Sequence, residues 1–168
     1  MQKLVIGMTR NKGFTLIELL IVLVIIGITV GFALITFGDF GESRRISFAV
    51  DQLVNTLRLA QQQAVLEAST LGLRIDNKSY QILKYYNPPE WRPISNKGIF
   101  KVHYFPKNTV VTYKSNHKTP PGFPAIIIDA SGDMTPFTLN FGTPGEPSAI
   151  TLRGNHDGSL NLSKPANG

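Results

Sequence analysis

"RNKGFTLIELLIVLVIIG", residues 10–27, places two basic side chains and a glycine directly before a long apolar run. That run carries one carboxylate, Glu18, almost at its start. An ionised carboxylate deep in hydrocarbon costs roughly 2.5–3.5 kcal/mol even on lenient insertion scales. A segment that only had to sit in lipid would gain nothing from this charge, so its position calls for a partner of opposite sign.

The charge pattern divides the 168-residue chain into an apolar anchor and a mixed domain. From Leu19 to Gly38 there is no charged residue, which corresponds to about 30 Å of helix, enough to cross a bilayer core. The net charge of +6 is concentrated at the front, because removing Lys3, Arg10 and Lys12 leaves +3, an ordinary surface. The sequence has no cysteine, which excludes disulfide and thiolate chemistry.

Three interpretations of the N-terminus compete. A secretory signal is disfavoured because the apolar run exceeds the usual length of about 7–15 residues and no A-x-A cleavage site follows. An uncleaved anchor fits the length, with its basic flank in the cytoplasm, but it leaves Glu18 unexplained. Cleavage between Gly13 and Phe14 is the third interpretation, and it would free an α-amine four residues ahead of Glu18.

The stretch "KGFTLIELLIVLVIIGI", residues 12–28, resembles the class III leader and N-terminal helix of type IV pilins and type II secretion pseudopilins. The resemblance implies that a prepilin peptidase cuts the Gly13–Phe14 bond, that Phe14 is N-methylated, and that Glu18 is an assembly carboxylate. Glu18 would pair with the Phe14 amine of a neighbouring subunit, since an opposite charge makes a buried carboxylate tolerable. A glutamate that only snorkels to the membrane interface is the alternative.

A second helical signal follows the apolar run. Apolar residues recur at spacings of three and four and predict a stripe that packs on a sheet: Ile46, Val50, Leu53, Val54, Leu57, Ala60, Ala64 and Ala68. We expect one helix from residue 14 to about 69, on the order of 84 Å long. Glycines predict bending or fraying near Gly38 to Gly41.

After Ser69 the sequence changes to short β-rich runs separated by turn residues. Seven or eight antiparallel strands are predicted, with hairpins around "DNKS" (76–79), "ASGDMTP" (130–136) and "GNHDG" (154–158). Residues 87–98, which contain three prolines, are predicted to form a surface loop. The fold class is therefore α+β: one long N-terminal helix, with a membrane-spanning first half, packed on antiparallel sheet. The resemblance makes this the type IV pilin-like fold.

A narrower resemblance covers the second half of the chain. "AIIIDASGDMTPFTLNF" (125–141) and "AITLRGNHDGSL" (149–160) are similar to the C-terminal pattern of H-type minor pseudopilins. This implies a subunit at the tip of the periplasmic pseudopilus of a type II secretion system, which exports folded proteins across the outer membrane. A minor pilin of a type IV pilus, active in pilus assembly or DNA uptake, is the alternative function.

The resemblance also implies the domain organisation and the location. Residues 1–13 would be the cleaved leader, 14–40 the transmembrane helix of the filament core, and 41–168 a periplasmic domain. The protein would cross the bacterial inner membrane once. Its partners would be the major and minor pseudopilins of the same filament, the prepilin peptidase, inner-membrane lipid and exported substrate proteins.

DNA is not an expected partner. From Ser148 onward the only full positive charges are Arg153 and Lys164, and each phosphate neutralised requires a cation. Arg44 and Arg45 lie just past the apolar run, where lipid phosphates are the favoured partners.

Enzymatic chemistry is also not expected. The sequence has no G-x-S-x-G, H-E-x-x-H or phosphate-loop pattern, and metal-ligand spacing is absent among its three histidines: His103, His117 and His156. Three aspartates lie in turn-like segments and are candidate Ca²⁺ ligands, although turns favour aspartate anyway: Asp129, Asp133 and Asp157. We predict no catalytic residue, no cofactor and no metal site.

Overall fold

A single long helix, α1 (Leu16–Leu66), opens the described part of the chain. The computed structural model describes residues 14–114, 119–120 and 122–164, and the side chains of all of these except 33–40. The helix has 51 residues, so it is about 77 Å long. It is continuous from Gly38 to Gly41, where the sequence predicts bending or fraying. Helical turns on both sides therefore outweigh the cost of each glycine, roughly 1 kcal/mol.

The helix ends in a Schellman motif. Ala68 has the left-handed φ of 45°. The N–H of Ser69 donates to the Ala64 carbonyl at 3.0 Å, and the N–H of Ala68 donates to the Val65 carbonyl at 3.2 Å. This pair of bonds closes the last turn. Ala68 therefore lies past the helix and is exposed, so the prediction that it belongs to the buried stripe is wrong.

Nine strands occur within the described residues: β1 (Leu71–Ile75), β2 (Ser79–Tyr86), β3 (Glu90–Pro93), β4 (His103–Tyr104), β5 (Val110–Lys114), β6 (Ile126–Ile128), β7 (Phe137–Gly142), β8 (Ile150–Gly154) and β9 (Leu160–Ser163). They form two antiparallel sheets. The first sheet has the order β3-β2-β1-β6, and β4 also pairs with β2. The second sheet has the order β5-β7-β8-β9.

Two of the three predicted hairpins are confirmed. β1 and β2 pair from Leu71↔Lys84 to Ile75↔Tyr80 around the "DNKS" turn, where the Asp76 carboxylate accepts from the N–H groups of Lys78 and Ser79 at 2.7 and 2.8 Å. β8 and β9 pair around "GNHDG". Both turns follow the local rule that aspartate side chains bond to backbone two or three residues on.

The third predicted hairpin is wrong. β6 pairs with β1 in the first sheet, whereas β7 pairs with β5 and β8 in the second. An isolated bridge, Ile128↔Met134, and backbone bonds close the turn between them, including one from the Thr135 N–H to the Ile127 carbonyl at 2.9 Å and one from the Asp129 N–H to the Asp133 carbonyl at 2.8 Å. The chain therefore passes from the first sheet to the second at this turn. Its residue types are those of a hairpin turn, so the local sequence does not distinguish the two.

The predicted proline loop contains a strand. β3 pairs with β2 from Leu83↔Pro93 to Tyr86↔Glu90. Pro93 stands at the last position of this edge strand, a place where the missing N–H is tolerated. The Trp91 and Tyr85 rings pack in a tilted arrangement with their centroids 5.2 Å apart. Trp91 also lies over Gly72, since a Cβ atom added at Gly72 would be 3.1 Å from the Trp91 ring.

The hydrophobic core lies between the second half of α1 and the two sheets. The helix contributes the predicted stripe from Ile46 to Ala64, with Val50, Leu53 and Leu57 fully buried. The strands contribute residues of both sheets, the largest of them Phe141. Burial of apolar surface stabilises the fold by roughly 25 cal/mol per Å². The buried face is therefore the main contribution of α1 to the stability of the domain.

The chain divides between Asp39 and Phe40 into two compact units. The second unit holds the sheets and the core. Among the residues that the structure describes, no helix combines the length and the apolar character needed to span a membrane.

Candidate assembly site

Glu18 lies in the first turn of α1 and folds back onto Thr15. Its Oε2 accepts long hydrogen bonds from the Thr15 N–H at 3.4 Å and from Thr15 Oγ1 at 3.5 Å, while Thr15 Oγ1 accepts from the Glu18 N–H at 3.3 Å. This reciprocal arrangement is a capping box, S/T-x-x-E, which satisfies backbone donors at the start of a helix. The letters "TLIE" carry this signal, which the assignment of Glu18 to assembly alone overlooked.

The structure places Phe14 and Glu18 at the same end of α1. Phe14 directly precedes Thr15 and is 86% exposed. Gly13, on the other side of the predicted cleavage bond, lies outside the described residues. The α-amine that cleavage would create at Phe14 therefore belongs to the same helix end as the carboxylate.

The surface around Glu18 is apolar and open. Every large apolar side chain described from Phe14 to Phe32 is between 49% and 87% exposed. None of the described Lys, Arg or His side chains forms an ion pair with Glu18. The carboxylate interacts favourably with the positive end of the helix dipole. It is also the only charge from Phe14 to Gly38, so an approaching cation meets a single, defined partner.

His103 and Tyr80 form a packed polar contact inside the domain. Their rings stack at 5.1 Å, and His103 Nε2 lies 2.8 Å from the Ile99 carbonyl oxygen. Burial raises the pKa of Tyr80. Both side chains are buried, so this pair contributes to packing.

Of the three candidate Ca²⁺ ligands, Asp157 uses its carboxylate in the hydrogen bonds of its own turn. The Asp157 carboxylate accepts from the Ser159 hydroxyl at 2.7 Å and from the Ser159 N–H at 2.9 Å. These hydrogen bonds hold the pKa of Asp157 below its ordinary value. The described part of the chain holds no group of three His, Cys, Asp or Glu residues able to bind a metal ion. His117 lies outside the described residues, and His156 is exposed.

The positive charges of the C-terminal segment are separated by the fold. Lys164 forms an ion pair with Asp51 of α1 at 2.7 Å. Arg153 forms no ion pair with a described residue. Counting only ion pairs between described residues, residues 148–164 therefore keep one unpaired cation as a footprint for a nucleic acid, which weakens the DNA interpretation further.

Gln61 connects α1 to two Gly-containing turns of the C-terminal half. Its Nε2 donates to the Gly158 carbonyl at 2.7 Å and, more weakly, to the Gly132 carbonyl at 3.4 Å. Gly132 and Gly158 both have positive φ. A glutamine on a helix gives no local signal for such a contact, because its partners are 71 and 97 residues away.

The architecture is that of a pilin-like protein. The first half of one helix is exposed and apolar, with a capped acidic residue at its start, and the second half of the same helix packs on two antiparallel sheets. The family described as Type II transport protein GspH matches residues 49–158. The prokaryotic N-terminal methylation motif matches residues 8–34. The chain belongs to the Type II transport protein GspH family.

Individual relatives agree with this family. Type II secretion system protein H of Pseudomonas aeruginosa is 28% identical over 161 residues, 86% of this chain and 91% of that protein. Type II secretion system protein H of Escherichia coli (strain K12) is 29% identical over 153 residues, 83% and 87% of the two chains. A fimbrial protein of Pseudomonas aeruginosa is 39% identical, but over 64 residues that cover only 38% of this chain.

Solved structures share the fold. The minor pseudopilin EpsH from the type 2 secretion system of Vibrio cholerae aligns with a TM-score of 0.62 at 19% identity, covering 73% of this chain and 99% of that one. The solution structure of Escherichia coli GspH aligns with a TM-score of 0.61 at 18% identity, covering 73% and 89%. The α+β pilin-like fold predicted from the sequence is confirmed.

Proposed function

We propose that this chain is a minor pseudopilin that assembles at the tip of the periplasmic pseudopilus of a type II secretion system. Its work is structural and mechanical rather than catalytic, and it supports export of folded proteins across the outer membrane. Membership of the GspH family and the near full-length matches to type II secretion system protein H support this role. The pilus alternative is less well supported, because the fimbrial match spans only 64 residues.

We further propose that residues 1–13 are a leader that a prepilin peptidase removes at the Gly13–Phe14 bond, followed by N-methylation of Phe14. The N-terminal methylation motif at residues 8–34 supports this step. In this proposal residues 14–40 anchor the protein once in the inner membrane, and residues 41–168 form the periplasmic domain. The uncharged run from Leu19 to Gly38 and the basic residues before it support this orientation.

The observation that carries the assembly mechanism is the open carboxylate of Glu18 on an otherwise apolar, exposed helix. Glu18 accepts the charged Phe14 amine of a neighbouring subunit, and this pair fixes the depth of one helix against the next. Once lipid or helices surround the pair, removal of one member leaves a buried charge, typically a matter of several kcal/mol. The pair therefore acts as a register device.

The outward side of the second half of α1 offers a surface for the same neighbours. Positions with alternating spacings of four and three lie away from the core and are exposed: Phe48, Gln52, Asn55, Leu59, Gln62 and Leu66. Phe48 and Leu66 are 74% and 81% exposed. This spacing suits contact with another helix, so the stripe supports other pseudopilins as partners.

Glu18→Gln and Glu18→Ala separate the two roles of this side chain. Glutamine at the third helical position keeps the capping box but removes the charge, whereas alanine removes both. If the charge sets assembly, both variants are processed normally, remain in the membrane, and fail to crosslink to neighbouring pseudopilins. Crosslinking and secretion at the native level with Glu18→Gln would show that capping is the role of Glu18.

Deletion of the gene distinguishes the two filament systems. Loss of exoprotein export with normal twitching and DNA uptake supports the secretion role. Loss of twitching or DNA uptake with normal export would instead assign the protein to a type IV pilus.

A further inference from the structure

The face of the second sheet that points away from the core carries a row of polar side chains. Strand register places Lys114 opposite Thr138, Thr138 opposite Arg153, and Arg153 opposite Asn161. Directly opposite residues share a face, with Cβ atoms about 5 Å apart. The alternate residues of these strands, such as Leu139 and Leu152, belong to the core. One cation from β5 and one from β8 therefore flank the Thr138 hydroxyl.

A pocket lies at this row. It has a volume of about 270 Å³ and is lined by Lys114, Thr138 and Arg153, together with Pro136 and Phe137. Lys114 and Arg153 are exposed, and Thr138 is half-buried. The sequence did not reveal this site because its two cations are 39 positions apart and only the strand register brings them together.

Neither cation of the pocket forms an ion pair with a described residue, whereas three other basic residues of the domain do. Three basic residues are paired with carboxylates: Lys84 with Glu67, Arg92 with Glu90, and Lys164 with Asp51. Neither Lys114 nor Arg153 forms an ion pair with a described residue. Register also places no acidic residue on this face, which carries Thr112, Lys114, Thr138, Asn140, Thr151, Arg153, Asn161 and Ser163.

We propose that this pocket binds a carboxylate side chain in an acidic segment of a neighbouring pseudopilin, an inference that rests on the proposed function. Lys114 and Arg153 lie two strand spacings apart, about 10 Å in the backbone. Side chains of their length converge on one carboxylate above the Thr138 hydroxyl. The guanidinium fork holds a carboxylate by two parallel hydrogen bonds, and the ammonium adds a point charge.

The size of the pocket favours a protein side chain over DNA as its ligand. A protein that makes about 6–10 phosphate contacts on DNA needs about as many cations, whereas the described residues of this face offer two. The pocket is large enough for one side chain rather than a nucleic-acid backbone. Complementary charge at a contact of this kind fixes register and speeds association more than it adds affinity.

Carbodiimide coupling in native membranes tests the contact directly, because it joins a lysine amine to a carboxylate only where the two touch. We expect peptide mapping to find Lys114 bonded to an Asp or Glu of another pseudopilin. Lys114→Arg keeps the charge but has no amine to couple, so it should lose the adduct and keep secretion. Arg153→Glu should reduce the Lys114 adduct by about fivefold, equivalent to about 1 kcal/mol.

Matched controls and a charge swap make the test specific. Lys97→Glu with Lys101→Glu removes two exposed cations elsewhere on the domain and should leave the Lys114 adduct and secretion unchanged. Substituting lysine for the mapped partner carboxylate should restore secretion to the Arg153→Glu strain.

Three results would overturn the proposal. They are the absence of a Lys114 adduct in a strain whose Glu18-dependent crosslinks are normal, an adduct to a protein outside the filament, and duplex DNA binding that Arg153→Glu abolishes. The first leaves the pseudopilin role intact. Absence of both kinds of crosslink would overturn the pseudopilin role as well.

Discussion

Gly158 and Gln61 pack so closely that a Cβ atom at Gly158 would lie 2.4 Å from Gln61 Nε2 and 2.6 Å from the Gly132 carbonyl oxygen. Gly158 also has a φ of 79°, a region that favours glycine. The absence of a side chain at Gly158 thus lets the glutamine reach the Gly158 carbonyl oxygen. The C-terminal hairpin is held on α1 through this contact.

Substitution at Gly158 should destabilise the domain strongly. Gly158→Ala combines left-handed strain with a clash against backbone, and we expect it to lower the free energy of unfolding by about 2–4 kcal/mol. Gly145→Ala is the control, because the nearest atom to its Cβ would be 3.9 Å away, and its effect should be within about 0.5 kcal/mol. Urea denaturation measures both, and equal effects would contradict the contact.

Ala68→Gly should stabilise the domain by about 0.5–1 kcal/mol. The left-handed φ of Ala68 costs an L-residue roughly 1–2 kcal/mol, and glycine regains this less its own entropic cost of roughly 0.5–1 kcal/mol. Ala60→Gly, inside the helix, should have the opposite sign. Thermal melts compare the two, and a loss of stability with Ala68→Gly would show that the Schellman motif is not the helix end.

The Asp76 turn should stabilise the domain in a pH-dependent way. Burial acts to raise the pKa of Asp76, but hydrogen bonds from Lys78 and Ser79 outweigh it and lower the pKa below 3.8. A lowered folded-state pKa means that this stabilisation is present above the unfolded pKa and lost as the pH falls through the folded one.

Asp76→Ala should therefore cost about 1 kcal/mol at pH 7 through its lost hydrogen bonds, and less at pH 2.5. Unfolding in urea at the two pH values gives the comparison. Asp129→Ala, which removes an exposed carboxylate, should cost little at either pH. If Asp76→Ala lowered the free energy of unfolding equally at both pH values, the ionised Asp76 carboxylate would be ruled out as the hydrogen-bond acceptor.

Residues 41–168 should fold without the anchor. They contain the buried face of α1, both sheets and the whole described core. We expect this fragment to be soluble, with a mixed helix and sheet circular dichroism spectrum and one cooperative thermal transition. Aggregation without a transition would mean that the first 40 residues are needed to complete the core.

Gly13→Leu should block processing, because the resemblance to prepilin leaders requires a small residue before the cut. Gly7→Leu changes a leader glycine that is not next to the cut, and it should be processed normally. N-terminal sequencing of protein from native membranes decides the matter. A mature chain that begins at any residue other than Phe14 would refute the proposed cleavage.

The parts of the fold that depend on local sequence could be predicted. The stripe from Ile46 to Ala64 is buried as expected, because helical periodicity is written in neighbouring residues. The "DNKS" and "GNHDG" hairpins are predictable for the same reason. The exposure of Ala68 could not be predicted from local sequence. A Schellman motif usually places glycine at the residue with left-handed φ, and in this chain alanine stands there.

Features that depend on distant partners could not be predicted. β3 forms despite Pro93 and the two prolines before the strand, because Trp91 packs over Gly72 and beside Tyr85. The turn at residues 130–136 changes sheets because β7 finds its partners in β5 and β8. At the candidate site, the capping box was present in the letters "TLIE", but the juxtaposition of Lys114 and Arg153 required the register of three strands.

The ion pair between Asp51 and Lys164 joins residues 113 positions apart, so it forms only after the chain has been made as far as Lys164. The helix emerges first from synthesis, yet the hairpin that ends near Lys164 emerges last. Contacts of such long sequence separation form slowly, since the intervening chain must be closed before they give any stability. A chain interrupted before β9 lacks the strand that packs Leu160 and Leu162 against the core, and it leaves that part of the core open to aggregation and proteolysis.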